Sequence, residues 1–265
     1  MRSGGIRNTK VELQMKLNRN TEVESLHVSP PDAKPVLYAG AVEKAQISIY
    51  NEDCLQALKA MADKQFDLAI VDPPYGIGAS SKNFIRQGKQ TGKSMAVSGI
   101  KYTAKDWDNC VPDKIYFDEL RRVSKNQIVW GGNYFASSLP NSSCWLIWDK
   151  VTGDNLYADA ELAWTSFDKA VRKFTWMWKG MFQQNMANKE DRIHPTQKPV
   201  ALYKWILENY AEKGSKIIDT HLGSGSIAIA CWDMGYDLTA YEVDKEYYDN
   251  ACKRLETHKA QLTLW

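Results

Sequence analysis

The chain has 265 residues, of which 44% are hydrophobic and 25% charged, and its formal net charge is +2. That is the composition of a soluble globular protein with one large domain, or one domain and a small appendage. No apolar run approaches membrane-spanning length, and "MRSGGIRNTK" lacks the apolar core of a secretory signal, so a cytoplasmic protein with no membrane partner is expected.

Residues 1–44 show no sustained periodicity and are punctuated by "SPPDAKP", which predicts a partly ordered N-terminal arm. From Ala45 onward strand and helix patterns alternate. "AQISIY" predicts a strand, "DCLQALKAMA" a helix with Asp53 as its N-cap, and "FDLAIV" a buried strand. A long polar stretch follows, to about Pro112. "KIYFDELRRV" reads as helix, "NQIVWGG" as strand, and "CWLIWDK" and "AELAWTSF" as two strands around a polar turn. Beyond a basic, aromatic segment come the helix "VALYKWILENYA", the strand "KIIDT", the helix "SIAIACWDMG", the strand "YDLTAYEV" and the closing helix "KEYYDNACKRLETHKAQL". This alternation predicts an α/β fold with a doubly wound, mostly parallel sheet, whose ligands sit beyond the carboxyl ends of the strands.

Charge is unevenly distributed. From Gly76 to Lys105 there are six basic residues and no acid, whereas from Val200 onward ten acids face seven Lys and Arg. The basic stretch predicts a local polyanion site, carried by Lys82, Arg86, Lys89, Lys93 and Lys101. The five cysteines are scattered and form no C-x-x-C pair, so neither a zinc site nor a redox dithiol is favoured, and no metal is expected.

Two landmarks carry chemistry. "DTHLGSGS" places Gly223, Ser224 and Gly225 between a strand and a helix, where glycines allow close backbone approach and the helix start offers free N–H groups. Glu242 ends the next strand, seventeen residues past Gly225, and a carboxylate there can accept both hydroxyls of a ribose. A nucleoside bearing a small anionic group follows, and the spacing does not separate NAD from S-adenosylmethionine. The second landmark is "DPPY". Asp72 offers a carboxylate, Pro73 a backbone carbonyl, and Tyr75 a ring face, while Pro73 and Pro74 fix φ and so pre-place the acceptors. An isolated Asp-Pro-Pro is more often a plain turn, and Asp219 could simply cap its own turn.

Taken together, "DPPY", then "HPTQKP", then "DTHLGSGS" resemble the amino-methyltransferases of DNA. With the catalytic motif first and the cofactor glycines last, the order resembles the circularly permuted beta group, including restriction-modification and phage adenine enzymes. The resemblance covers roughly Ala45 to the C-terminus. It implies a Rossmann-like, seven-stranded methyltransferase sheet and S-adenosylmethionine as cofactor. The substrate it implies is the N6 amine of an adenine flipped out of double-stranded DNA, because the amine is inaccessible in the duplex. Asp72, Pro73, Pro74 and Tyr75 would be catalytic. His194, Thr196 and Lys198 would lie near the methionine end of the cofactor, with Asp72, Asp219, His221, Gly223, Ser224, Gly225 and Glu242 also around it. A matching acid at Asp53 would approach the cofactor adenine, a role compatible with capping. The family usually carries Asp-Pro-Phe before its glycines, whereas this chain has Asp219-Thr220-His221.

The resemblance also frames the rest of the chain as a methyltransferase domain, 45–265, with a DNA-contact loop at 76–112 and a short recognition insert at 166–193. Arg172 and Lys173 of that insert would contact DNA, and Gln183 and Gln184 could read adenine edges. A core hairpin packed by Trp176 and Trp178 is an equal alternative. A homodimer and a cognate restriction endonuclease are compatible partners. The alternatives left open are a cytosine N4 enzyme of the same fold and a catalytically silent DNA-binding homologue.

Overall fold

A computed structural model describes residues 45–77, 108, 110–152, 158–179 and 182–262. The chain divides into two units, Met1–Gly40 and Ala41–Trp265. The first unit, and with it the arm expected at 1–44, lies outside the described residues, as do Lys82, Arg86, Lys89, Lys93 and Lys101.

The second unit runs β1 (Ile47–Tyr50), α1 (Cys54–Ala60), β2 (Phe66–Val71), α2 (Lys114–Val123), β3 (Ser124–Trp130), β4 (Trp145–Asp149), β5 (Ala160–Thr165) and β6 (Arg172–Thr175). It continues with β7 (Trp178–Lys179), β8 (Phe182–Gln183), α3 (Val200–Tyr210), β9 (Lys216–Asp219), α4 (Ser226–Met234), β10 (Asp237–Tyr241) and α5 (Lys245–Leu262). The main sheet has the order β1-β10-β9-β2-β3-β5-β4-β6. Its first five strands are mutually parallel, β5 is antiparallel to both β3 and β4, and β6 lies parallel to β4.

Alternation along the strands splits the core into two layers. On β2, Leu68 and Ile70 face one side with Ile128 and Trp130 of β3 and Ile217 of β9, and they pack against Leu202 and Ile206 of α3 and Ile227 of α4. Ala69 and Val71 face the other side with Val129 and Ile218, in a cluster with Leu58 of α1, Phe117 and Leu120 of α2, and Phe66 at the start of β2. Both faces of the central strands are buried, which is why their sequences read as continuous apolar runs.

One expectation is corrected: among the described residues the main sheet has eight strands, not seven. The extra strand is β6, inside the segment expected to be a recognition insert. Its sequence, Arg-Lys-Phe-Thr, carries charge on a sheet edge, where unpaired backbone groups are commonly guarded by basic side chains. The rest of the insert is a short hairpin, β7 paired antiparallel to β8. Trp178 is 6% exposed and joins the core, with Trp176 packed against it, so both tryptophans have the packing role. Gln183 is also buried, and its side chain exchanges two hydrogen bonds with the backbone of Glu190, at 2.7 and 2.8 Å. It is committed to holding a loop.

Candidate active site

β2 and β9 are parallel neighbours, so the Asp72 corner after one and the glycine turn after the other open on the same rim of the sheet. Far apart in the chain, the two landmarks meet through sheet topology alone.

At the Asp72 corner, Tyr75 Oη donates to Asp72 Oδ1 at 2.6 Å, and Lys198 Nζ donates to Asp72 Oδ2. Lys198 arrives from the loop before α3, and its side chain is only 1% exposed. Its ammonium also lies 3.1 Å from Glu161 Oε2 and 3.3 Å from Tyr75 Oη. Glu161, on β5, makes a second ion pair with Lys150, just past β4. Two acids and two lysines therefore form a neutral cluster beneath the acceptor corner. Burial raises Asp72 above the usual carboxylate range, with Glu161 adding to the effect and Lys198 opposing it. Burial also works against ionisation of Glu161, but Lys198 and Lys150 overcome it and hold that carboxyl at about 2. Lys198 is raised above the ordinary lysine value: desolvation opposes its charge, and the two carboxylates outweigh it.

The Tyr75 ring is seated by residues outside the motif. It stacks on Tyr134, with centroids 4.9 Å apart and planes 15° from parallel, and meets Phe135 edge-on at 6.1 Å. Gly131 has φ +70°, and a Cβ there would fall 2.2 Å from Tyr75 Cε1. Asp108 Oδ1 accepts from the backbone N–H of Tyr75 at 2.7 Å and of Gly76 at 2.9 Å, closing the turn. Because Tyr75 supplies a hydroxyl as well as a ring, its two simplest replacements separate the contributions. Tyr75→Phe is expected to lower kcat about tenfold, the scale of one hydrogen bond to a charged group. Tyr75→Ala is expected to lower it about a hundredfold by also removing the stacking surface. Steady-state methylation kinetics check this, and equal losses would assign the whole effect to the hydroxyl.

On the cofactor side, Gly223 and Gly225 have φ of +53° and +72°, and α4 begins directly after them. A Cβ at Gly223 would sit 3.7 Å from ring atoms of His194, filling the gap between the turn and that imidazole. His194 is buried, meets Tyr247 edge-on at 4.2 Å, and has Nδ1 3.1 Å from Thr196 Oγ1. Glu242 Oε2 accepts from Gly223 N at 2.8 Å, and its Oε1 accepts from Asp244 N at 2.9 Å. Asp219 Oδ1 accepts from His221 N at 3.0 Å, and burial pushes its carboxyl up to about 8. Arg254 of α5 donates to the carbonyl of Ser224 and the hydroxyl of Ser226, both at 2.9 Å, and pairs with Glu190 at 2.7 Å. A backbone cradle kept open by glycine, ringed by buried carboxylates, fits a nucleoside cofactor with a small charged tail.

The described sequence-expected residues thus fall into four groups. Asp72, Pro73, Pro74, Tyr75 and Lys198 gather at one corner, and His194, Thr196, Asp219, His221, Gly223, Ser224, Gly225 and Glu242 gather around the neighbouring turn. Asp53 caps α1 by accepting from Leu55 N at 2.7 Å, next to the rim formed by β1 and β10. Arg172 and Lys173 stand apart: in the β4–β6 register they sit beside Leu146 and Ile147, before the carboxyl end of β4, and Lys173 pairs with Asp149 at 3.1 Å. Sequence reasoning missed Lys150, Glu161, Gly131, Tyr134, Asp108 and Arg254. Only the Gly131-Gly132 pair gave a local signal.

His221, which replaces the family's Phe, packs edge-on against Tyr116 at 5.4 Å, with Nδ1 2.9 Å from Thr220 Oγ1. Burial lowers its pKa to about 4. At this one group the folded state therefore binds fewer protons than the unfolded chain between about pH 4 and 6.5, so the contribution of His221 to stability falls as pH drops through that window. His221→Phe is expected to remove this loss, on the order of 1–2 kcal/mol at pH 5. Thermal unfolding at pH 7 and pH 5 checks it: the variant's melting temperature should drop less than the parent's.

A doubly wound sheet whose acceptor corner adjoins a glycine cradle defines an S-adenosylmethionine-dependent methyltransferase. Comparison with known proteins agrees. The DNA methylase family of N6 and N4 amino-methyltransferases matches residues 149–253. The type II methyltransferase M.HpaI of Haemophilus parainfluenzae is 24% identical over 249 residues, covering 77% of this chain and 73% of that protein. The type II methyltransferase M.HinfI of Haemophilus influenzae is 24% identical over 260 residues, covering 80% and 69%. The PvuII DNA methyltransferase (cytosine-N4-specific) shares the fold, with a TM-score of 0.52 at 11% identity over 82% of this chain and 91% of that one. Together these likenesses support a DNA methyltransferase of the restriction-modification kind, acting on DNA.

Proposed function

We propose that the protein methylates the N6 amine of adenine flipped out of duplex DNA, with Asp72, Pro73, Pro74 and Tyr75 as the groups around that amine. The observation that carries this reading is the adjacency of β2 and β9, which sets the Asp72 corner beside the glycine cradle. The cofactor, when bound, supplies a methyl group already activated by its sulfonium. The protein's task is to make the amine nucleophilic, because its lone pair is delocalised into the base. Asp72 and the carbonyl of Pro73 accept one amino hydrogen each, which favours a pyramidal nitrogen with a localised pair. The prolines hold those acceptors in place before the base arrives. Tyr75, with Tyr134 behind it, gives the extruded base a surface to stack on and offsets part of the cost of flipping, a few kcal/mol.

Gly223, Ser224, Gly225 and the start of α4 hold the cofactor's methionine end together with His194 and Thr196, while Glu242 is placed for the ribose and Asp53 for the adenine. DNA phosphates are gripped by the basic stretch with Lys82, Arg86, Lys89, Lys93 and Lys101, within a methyltransferase domain spanning 45–265 behind an arm of 1–44. Arg172 and Lys173 reach DNA only if it extends along the β6 edge. A cognate endonuclease belongs to this reading because the relatives are type II methyltransferases, and a cytoplasmic location and a homodimer, whose second subunit would add recognition surface to a short insert, belong to it as well. Among the described residues, no helix is long and apolar enough to cross a membrane.

The test is to treat duplex DNA with protein and labelled cofactor, digest it to nucleosides and separate them by mass. N6-methyladenine is expected. N4-methylcytosine would move the protein to the sister activity, and no modified base would leave a DNA-binding homologue.

A further inference from the structure

We propose that Glu161 is a positioning residue for Asp72, acting through Lys198. The inference rests on the reading of Asp72 as the amine acceptor and goes beyond it, since Glu161 lies in none of the motifs that define the site. β5 runs antiparallel to β3, so its first residues, not its last, reach the catalytic rim. Glu161 lies there opposite Trp148, and the backbone of Lys150 donates to Asp159 O at 2.9 Å, so the β4–β5 hairpin delivers Lys150 and Glu161 side by side. Glu161 bridges the two lysines: Lys150 on one oxygen and Lys198, at 3.1 Å, on the other.

Lys198 therefore has a fixed address. Its ammonium faces Asp72, Glu161 and the Tyr75 hydroxyl together, and it is held over the Trp130 and Tyr75 rings at 5.4 and 5.7 Å. With Glu161 sharing the ammonium, Lys198 orients the Asp72 carboxylate without claiming its full accepting capacity. Without Glu161, Asp72 becomes the sole carboxylate partner, and the ammonium competes directly with the amine for it. A buried ion network is a poor way to gain stability, since apolar packing of similar volume often does as well or better. Here the network ends on the Asp72 carboxylate, which gives it a purpose in the reaction.

The test uses the full chain carrying Glu161→Gln, and the charge-balanced pair Glu161→Gln with Lys150→Met. Both are followed by steady-state methylation kinetics and thermal unfolding. The expected result for Glu161→Gln is a kcat at least about tenfold lower, with KM for cofactor and DNA within about threefold, as for a misplaced reacting group. The double variant should recover melting temperature but not kcat, and it decides the matter if the single variant does not fold. Unchanged kcat in Glu161→Gln, a rise in KM alone, or wild-type kcat in the double variant would each overturn the proposal and leave charge balance as the network's role. Asp72→Ala separates the two readings. If that variant retains activity, the assignment of Asp72 itself fails; if it is dead while Glu161→Gln is normal, only the role of Glu161 falls.

Discussion

Asp72→Ala is expected to abolish methyl transfer while leaving cofactor affinity within a few-fold of the parent. Three effects combine. The amine loses its carboxylate acceptor, and removal of one pre-placed partner for developing charge costs about a hundred- to a thousandfold in kcat in comparable sites. The Tyr75 hydroxyl loses its partner at 2.6 Å. Lys198, with a side chain 1% exposed, keeps only Glu161 as a carboxylate partner, and breaking a buried pair from one side costs about 3–5 kcal/mol. Asp72→Asn keeps the volume and one acceptor oxygen but offers Lys198 no charge, so it should retain more stability than Ala and still fall at least about a hundredfold in kcat. Single-turnover kinetics and calorimetric titration of the cofactor make the check. Activity near the parent level in either variant would remove Asp72 from the chemistry.

Gly131→Ala is expected to be damaging too, from a position with no functional group. The backbone there has φ +70°, where a Cβ is strained, and the added carbon would fall 2.2, 2.6 and 2.7 Å from three atoms of the Tyr75 ring. The ring must leave its stack on Tyr134, and its hydroxyl leaves Asp72 with it. A kcat loss of about ten- to a hundredfold follows, by the misplacement argument. A stability loss of about 1–3 kcal/mol comes from the strained backbone and the displaced ring. Gly214→Ala is the control: φ there is +82°, but nothing lies within 4 Å of the added carbon. It should show the strain cost alone, with kcat unchanged. Similar kinetics in the two variants would mean that the Tyr75 seat is not what Gly131 protects.

These two positions mark what could and could not be read from the chain. "FDLAIV" and "KIIDT" announce buried strands because both faces of β2 and β9 are covered, and Gly235 ends α4 in the left-handed conformation that its place after "ACWDM" suggests. The two landmark motifs were legible because their chemistry is local: acceptors within four residues, glycines within three. Glu161 and Lys150 were not, because their meaning comes from an antiparallel hairpin register and a lysine that arrives from another part of the chain. β6 was missed because a guarded edge strand carries no hydrophobic alternation. Asp108 closes the Tyr75 turn from beyond the basic stretch, and no local pattern marks it.

The neighbourhood of β2 and β9 has a consequence for biosynthesis. β1 and β2 are translated early, yet the strands that separate them in the sheet, β10 and β9, are translated late. Until those emerge from the ribosome, β1 has no neighbour in the sheet and the buried strand β2 has only β3, and such long-range pairing is slow and exposed to aggregation. A nascent chain released before Lys216 would carry the Asp72 corner but no cradle beside it, so premature termination yields an inert product, not a half-active modifier of the genome.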